Sequence, residues 1–253
     1  MNLYETLTQK IKAKGKGDRM LRENAFAKIL PQDIEERLCR LAVANVCDGL
    51  TELGVPRAGA MDAAVKPLKP DMKFAGVAYT VKVTDGNSFP VQYGLQYGKP
   101  GYVMVVDTGS YTQGPFMGDL MANIAQRTGL NAVVIDGFVR DAAEIAATNF
   151  PVFCKGVMPR KPRKINEGEL NGTVYCAGII VKPGDVVVGD SDGVAVIPRE
   201  LLEPVLVAAE QKYAADEKRK VKIAEFFTGN EHNKLDKDIK PLLGKDVVAL
   251  VDK

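Results

Sequence analysis

Four consecutive pieces decide the reading of this chain: YVMVVD at 102–107, TGSYTQGP at 108–115, FMGDLMANIAQRTG at 116–129 and AVVIDG at 132–137. The first and last are short, β-branched apolar runs, the pattern of strands buried on both faces. Between them Met117, Leu120, Met121, Ile124 and Ala125 recur at helical spacing, and Gly129 is placed to end that helix. DAAEIAATN at 141–149 reads as a short helix capped by Asp141, and PVFCKG at 151–156 opens a further strand. Strand, helix, strand, helix, strand in this order predicts that the first two strands are parallel, joined by a right-handed crossover.

The flanks extend this α/β reading. PQDIEERLCRL at 31–41 has the proline start and early acids of a helix N-terminus. AVANVCDGLTEL at 42–53 predicts a second helix ending at Gly54, and FAGVAYTVKVT at 74–84 alternates like a strand. IIVKPGDVVVGDSDGVAVIP at 179–198 holds two alternating runs; Pro183-Gly184 starts one strand, and Ser191-Asp192-Gly193 is a tight hairpin connection. Residues 199–227 predict a long, charge-laced helix. No repeat or long linker is visible. The expected division is a helical extension at 1–30 (an amphipathic helix at 2–13, then KGKGD), one α/β domain at 31–227, and a polar tail at 228–253 ending in VVALV.

Composition removes several classes. The 253 residues carry 34 Lys+Arg against 32 Asp+Glu, and 46% are hydrophobic. So balanced a chain argues against a dedicated nucleic-acid binder. No apolar run is long enough for a membrane span, and the N-terminal stretch lacks the apolar region of a secretory signal. Cys39, Cys47, Cys154 and Cys176 form no C-x-x-C pair and read as small buried hydrophobes of a reducing, cytoplasmic protein. The single histidine, His232, sits in the polar tail, so a site needing two histidine ligands from one chain is excluded. Any bound metal would depend on carboxylates and water, which favours Mg²⁺ or Mn²⁺ over zinc or copper.

Parallel strands end at one edge of their sheet, and the helix after strand 102–107 begins there. Gly118 and Asp119 should therefore face Arg140 and Asp141 across that edge, where open parallel sheets bind ligands. Backbone N–H groups around Leu120 and Met121 suit an anion such as a carboxylate, and Arg140 adds a charge-assisted clamp. Asp119 and Asp141 offer hard oxygen ligands to a divalent cation, directly or through water. A cation beside a 2-oxo acid would polarise its carbonyl, as carbon–carbon cleavage next to a keto group requires. Each residue also has a plainer role. Asp119 suits the helix dipole, Asp141 suits an N-cap, and Arg140 suits pairing with Asp141 or solvent. Their coincidence at one edge favours a site.

Gly118-Asp119, twenty residues, then Arg140-Asp141 is a G-D-x20-R-D signature. It resembles that of the class II pyruvate aldolases of the 4-hydroxy-4-methyl-2-oxoglutarate/4-carboxy-4-hydroxy-2-oxoadipate type, whose superfamily includes the regulator of ribonuclease activity A. VCDGL at 46–50, FAGVAYTV at 74–81, DGN at 85–87, VIDGFVRD at 134–141, FPVFCKGVMPR at 150–160 and PGDVVVGDSDGVAVIP at 183–198 share the resemblance, which spans about residues 40–225. It implies an α/β fold of layered β-sheets with flanking helices, similar to swivelling phosphohistidine domains. It also implies a trimer or dimer of trimers, with the active site between subunits. By position it implies Asp141 as direct metal ligand, Asp119 acting through metal-bound water, and Arg140 with the amides of Leu120 and Met121 holding pyruvate. A carboxylate from the neighbouring subunit corresponds to Asp216 or Glu217 in YAADEK.

The resemblance thus implies a metal-dependent lyase that releases pyruvate from a 4-hydroxy-2-oxo acid by retro-aldol cleavage, with oxaloacetate decarboxylation as companion activity. The alternative is a non-catalytic regulator that binds a ribonuclease or another partner enzyme. The regulator type resembles this pattern without an acid at the position of Asp119, so Asp119 favours catalysis. A third reading is the same fold cleaving a different, sugar-derived keto acid. The loop TGSYTQGPF is expected to line the cleft. Asn87 is a candidate to reach it or to serve a turn, and Lys155 and Arg160 are candidates for a second substrate carboxylate or for the surface.

Overall fold

The computed structural model describes residues 21–165, 167–226 and 242. The expected helix at 2–13, His232 and the VVALV run lie outside the described residues. Chain order begins with β1 (Leu21–Glu23), α1 (Gln32–Arg40), α2 (Val43–Glu52), β2 (Lys66–Pro67) and β3 (Phe74–Lys82). Then come α3 (Phe89–Gly94), β4 (Tyr102–Asp107), β5 (Pro115–Met117), α4 (Asp119–Thr128), β6 (Ala132–Val139), α5 (Ala142–Ala147) and β7 (Val152–Val157). The last part holds β8 (Gly168–Leu170), β9 (Val174–Cys176), β10 (Ile179–Val181), β11 (Val186–Asp190), β12 (Gly193–Ile197) and α6 (Leu202–Phe226).

β3, β4, β6 and β7 lie side by side and parallel. Their alternate residues enter two separate cores. Val77, Tyr79, Met104, Val106, Val133 and Ile135 face the helices, while Ala78, Val103, Val105, Ala132 and Val134 face the interior of the curled sheet. This double burial is why the strands read as unbroken apolar runs, each buried Val, Ile or Met side chain contributing about 1.5–3 kcal/mol. β11 pairs antiparallel with the first half of β3, and β12 with β11. Residues 60–67 then bring the two sheet edges together. Ala60 bridges Ala195 of β12, Met61 N–H donates to Val194 O at 2.9 Å, and β2 pairs with β7. The result is a nearly closed, barrel-like sheet with helices outside it, the α/β class expected from the sequence.

Two details of the central segment differ from their helical spacing. Met117 ends a strand, β5, which pairs parallel with the far end of β6. Leu120, on the first turn of α4, is 72% exposed, and the buried residues of α4 are Ala122 and Ala125. Gly129 ends α4 in the left-handed conformation, φ 86°, as glycine there should. α6 buries only Val205, Leu206 and Ala209, against α2. Arg37 of α1 clamps it through two 2.8 Å contacts to Glu210. Among the described residues no helix is long and apolar enough to cross a membrane.

The inner core carries charge. Asp136 of β6 forms an ion pair with Lys155 of β7 and accepts the Ala177 N–H at 2.8 Å, while Asp107 of β4 accepts the Tyr175 N–H at 3.3 Å. These carboxylates pin the β9–β10 hairpin onto the sheet. Cys176 and Cys154 are buried, as expected of core thiols, and Cys39 and Cys47 are half-buried. Burial pushes the Cys154 thiol up to about 11. Burial, with the Asp136 and Asp107 carboxylates adding to it, raises Cys176 well above the usual thiol range, so both stay protonated and unreactive. Asp136→Ala would leave Lys155 and the Ala177 N–H without their carboxylate. It is expected to cost about 3–5 kcal/mol in urea unfolding; a loss under about 1 kcal/mol would show that the pair is solvated.

Candidate active site

The parallel pairing of β5 with β6 sets the site. Arg140 N–H donates to Met117 O at 3.0 Å, so the turn after β6 lies directly against the turn from β5 into α4. A β-carbon placed on Gly118 would meet Asp141 Oδ2 at 2.5 Å and Arg140 Nε at 3.1 Å. Glycine here permits the close approach of the two turns. Asp141 Oδ2 lies 3.2 Å from Arg140 Nε and accepts the Asp119 N–H at 3.4 Å. Gly118, Asp119, Arg140 and Asp141, spread over 24 residues of sequence, thus form one cluster.

Asp141 does not act as a side-chain cap for α5. It occupies the capping position in the left-handed conformation, φ 56° and ψ 43°, and makes no capping hydrogen bond. A non-glycine residue held in this region stores strain that the surroundings must hold in place. Here the carboxylate turns away from α5 toward Arg140 and the start of α4. Asp141 and Arg140 side chains are 34% and 39% exposed, so the pair is open to a ligand.

A cleft of about 140 Å³ opens beside this cluster. Gly118, Asp119, Leu120, Met121 and Arg140 line one part of it, and Ser88, Gln92, Pro162 and Lys164 another. In the first turn of α4 the Met121 and Ala122 N–H groups both donate to Gly118 O at 3.1 Å. The Leu120 N–H makes no hydrogen bond among the described residues and is the amide that remains to receive an anion.

The other expected contributors lie elsewhere. The loop 108–113 lines a separate, open cleft of about 530 Å³ together with residues 82–85, not the cleft at Arg140. Asn87 is fully buried and holds the backbone of Ile165 and Glu167, so its role is structural. Lys155 points into the inner core toward Asp136, and Arg160 Nη1 donates to Gln113 O and Oε1 at 3.1 and 3.0 Å. Neither lines the cleft. Lys164, which no periodic pattern singled out, does; the only sequence signal for it is the basic run MPRKPRK at 158–164. Asp216 and Glu217 lie in a different groove, between α2 and α6. There Asp216 accepts from Asn45 at 3.3 Å, and Lys220 sits 2.7 Å from Glu217.

Two carboxylates at the rim of an accessible cleft fit a hydrated Mg²⁺ or Mn²⁺, which keeps most of its waters and needs one or two protein carboxylates. Among the described residues no three His, Cys, Asp or Glu side chains gather into a metal-ligating group. A site that strips the ion of its water is therefore not built by one chain alone within these residues.

Residues 43–196 match the family model described as RraA-like, Aldolase/RraA. The chain is 34% identical over 183 residues to a Halalkalibacterium halodurans protein named "Putative 4-hydroxy-4-methyl-2-oxoglutarate aldolase", covering 72% of this chain and 83% of that one. It is similar to the solved structure of Streptomyces coelicolor RraAS2, described as an unusual member of the RNase ES inhibitor RraA protein family. There the TM-score is 0.67 at 25% identity, over 76% of this chain and 98% of that one. A Geobacillus kaustophilus structure described as S-adenosylmethionine: 2-dimethylmenaquinone methyltransferase matches with a TM-score of 0.57 at 30% identity, over 64% and 98%. Three different activities named on one fold mean that the chemistry must be argued from the cleft.

Gly118→Ala tests the close approach. It is expected to cost about 1–3 kcal/mol through overpacking and to move the Asp141 carboxylate off the Asp119 N–H. Urea unfolding reads the first effect and a crystal structure of the variant the second. A neutral substitution with Asp141 unmoved would show slack between the two turns.

Proposed function

The chain belongs to the RraA-like, Aldolase/RraA family, and from that premise we propose that it is a divalent-metal-dependent lyase that releases pyruvate from a 4-hydroxy-2-oxo acid. The observation that carries this reading is the cluster of Arg140, Asp141, Asp119 and the free Leu120 N–H around one small cleft. The relatives named as aldolases agree with it.

In this reading Arg140 and the Leu120 N–H hold the carboxylate of the 2-oxo acid end by charge-assisted hydrogen bonds. Asp141 and, through water, Asp119 would hold the cation, whose contribution when bound is to polarise the keto oxygen. Asp119 is assigned to the proton of the 4-hydroxyl, which it takes up directly or through a water. As that proton leaves, the C3–C4 bond breaks. The C4–O group becomes the carbonyl of one product, and the bonding pair passes to C3 and the keto group as pyruvate enolate. Protonation at C3 then gives pyruvate. Oxaloacetate would lose CO₂ from C4 and leave the same enolate, so decarboxylation is the companion activity. A neighbouring copy in a trimer or dimer of trimers, presenting Asp216 or Glu217, is part of the proposal, because the described residues of one chain supply only two carboxylates at the cleft. The alternative, a regulator without catalysis, has less support because Asp119 is present.

Purified protein with Mg²⁺ or Mn²⁺ should release pyruvate from 4-hydroxy-4-methyl-2-oxoglutarate and from oxaloacetate, detected by coupled reduction with lactate dehydrogenase. EDTA should remove the activity and added cation restore it. Arg140→Ala and Asp141→Ala should each lower kcat/KM by at least about 100-fold, the loss of one charge-assisted contact or ligand in the transition state. Full activity in Asp141→Ala, or no pyruvate from either substrate at any metal concentration, would overturn the reading.

A further inference from the structure

β6 does not run straight from the core to the site. Its residues Val133, Val134 and Ile135 pair one for one with Val152, Phe153 and Cys154 of β7, and then Phe138 pairs with Gly156. Asp136 and Gly137 together thus stand opposite Lys155 alone. An extra residue of this kind is a β-bulge, which bends its strand and re-aims the side chains that follow. The bulge is also where β6 changes neighbours. Up to Ile135 it pairs with β4, and from Phe138 it pairs with β5, through Pro115 and Met117. Arg140 and Asp141 come directly after.

The bulge is held on both its residues. Lys155 and the Ala177 N–H hold the Asp136 carboxylate. The hydroxyl of Thr108, the first residue of the loop from β4 to β5, donates to Asp136 O. This gives a buried carbonyl at an interrupted ladder the donor it needs. The Thr108 methyl covers Gly137, where an added β-carbon would meet Thr108 Cγ2 at 2.9 Å and Phe116 Cε2, from β5, at 3.0 Å. Thr108 is 2% exposed and lines no part of the cleft at Arg140. One buried side chain therefore joins the loop that leads to Gly118 and Asp119 to the strand that delivers Arg140 and Asp141.

We propose that Thr108, acting through the Asp136-Gly137 bulge, is a positioning residue that fixes the placement of Arg140 and Asp141 against Gly118 without touching substrate. The proposal deepens the lyase reading and rests on it only for the reaction that misplacement would slow. A site loosened at this point still binds its ligand through the same groups. It holds them in the productive arrangement for less of the time, so the loss falls on kcat more than on KM.

Thr108→Val, which removes the donor, and Thr108→Ser, which keeps it, should be compared with the unaltered protein. Hydrogen exchange is read at the Arg140 N–H, whose acceptor is Met117 O, and at the amides of the β4–β6 ladder. In Thr108→Val the Arg140 amide should exchange faster, relative to those ladder amides, by about 10-fold or more, the effect of one lost buried hydrogen bond. Thr108→Ser should stay within about threefold of the unaltered protein, because its hydrogen bond is retained. With Mg²⁺ and oxaloacetate, kcat of Thr108→Val should fall by about 10- to 100-fold, as for a misplaced reacting group, with KM changed by less than about threefold. Thr108→Ser should keep most of the activity. Should valine prevent folding, Thr108→Ala carries the same comparison. Equal acceleration of the Arg140 and ladder amides would show a merely structural residue and overturn the proposal, as would an unchanged kcat. No pyruvate from the unaltered protein, with the Arg140 amide still selectively loosened by Thr108→Val, would overturn the lyase reading and leave the positioning role standing.

Discussion

The Arg140 N–H bond to Met117 O is the contact on which the rest of the site depends. It is a single backbone hydrogen bond, but it fixes the register of β5 on β6. A slip of one residue there would turn every side chain of the strand to the opposite face and separate Gly118 from Asp141. With the register held, three features follow together. Gly118 admits the close approach, Asp141 is forced into a left-handed backbone, and its carboxylate faces Arg140 and the first turn of α4. A backbone amide with no hydrogen bond among the described residues, a guanidinium and two carboxylates then share one small cleft without any of them being adjacent to all the others in sequence.

The scaffold beneath is suited to hold such a register. Residues 60–67 reach both edges of the sheet, so the strands curl around an inner core while a second core packs under the helices. Displacing β6 would disturb both cores at once. The Asp136–Lys155 pair adds a polar constraint on the same strand, since a buried carboxylate must keep its partners or pay the cost of desolvation. The strands that carry the site are therefore rigid, whereas Leu120 and Lys164 stand in the open at its rim.

Much of this was legible in the residues. The apolar runs of β4 and β6 announce strands buried on both faces, and parallel topology alone brings Gly118-Asp119 to Arg140-Asp141. What periodicity misread was local. Met117 and Leu120 fit a helical stripe numerically, but a three-residue strand takes Met117 into the sheet and turns the first exposed turn of α4, with Leu120, toward the cleft. Asp141 has the sequence position of a cap, and only the spatial neighbour Gly118 explains why it faces the other way. Lys155 and Arg160 looked as available as any lysine or arginine, because their partners Asp136 and Gln113 are distant in sequence. Lys164 sits in an aperiodic loop whose course is set by Asn87, 78 residues away from Ile165, so no local pattern could mark it.

A crystal structure of the protein with Mg²⁺ and oxalate, a planar mimic of pyruvate enolate, tests the central claim most directly. The expected result is a cation within bonding distance of an Asp141 oxygen, with an oxalate carboxylate on the Arg140 guanidinium and the Leu120 N–H. Oxalate bound away from Arg140, or a cation held by other residues while the cleft stays filled with water, would contradict it.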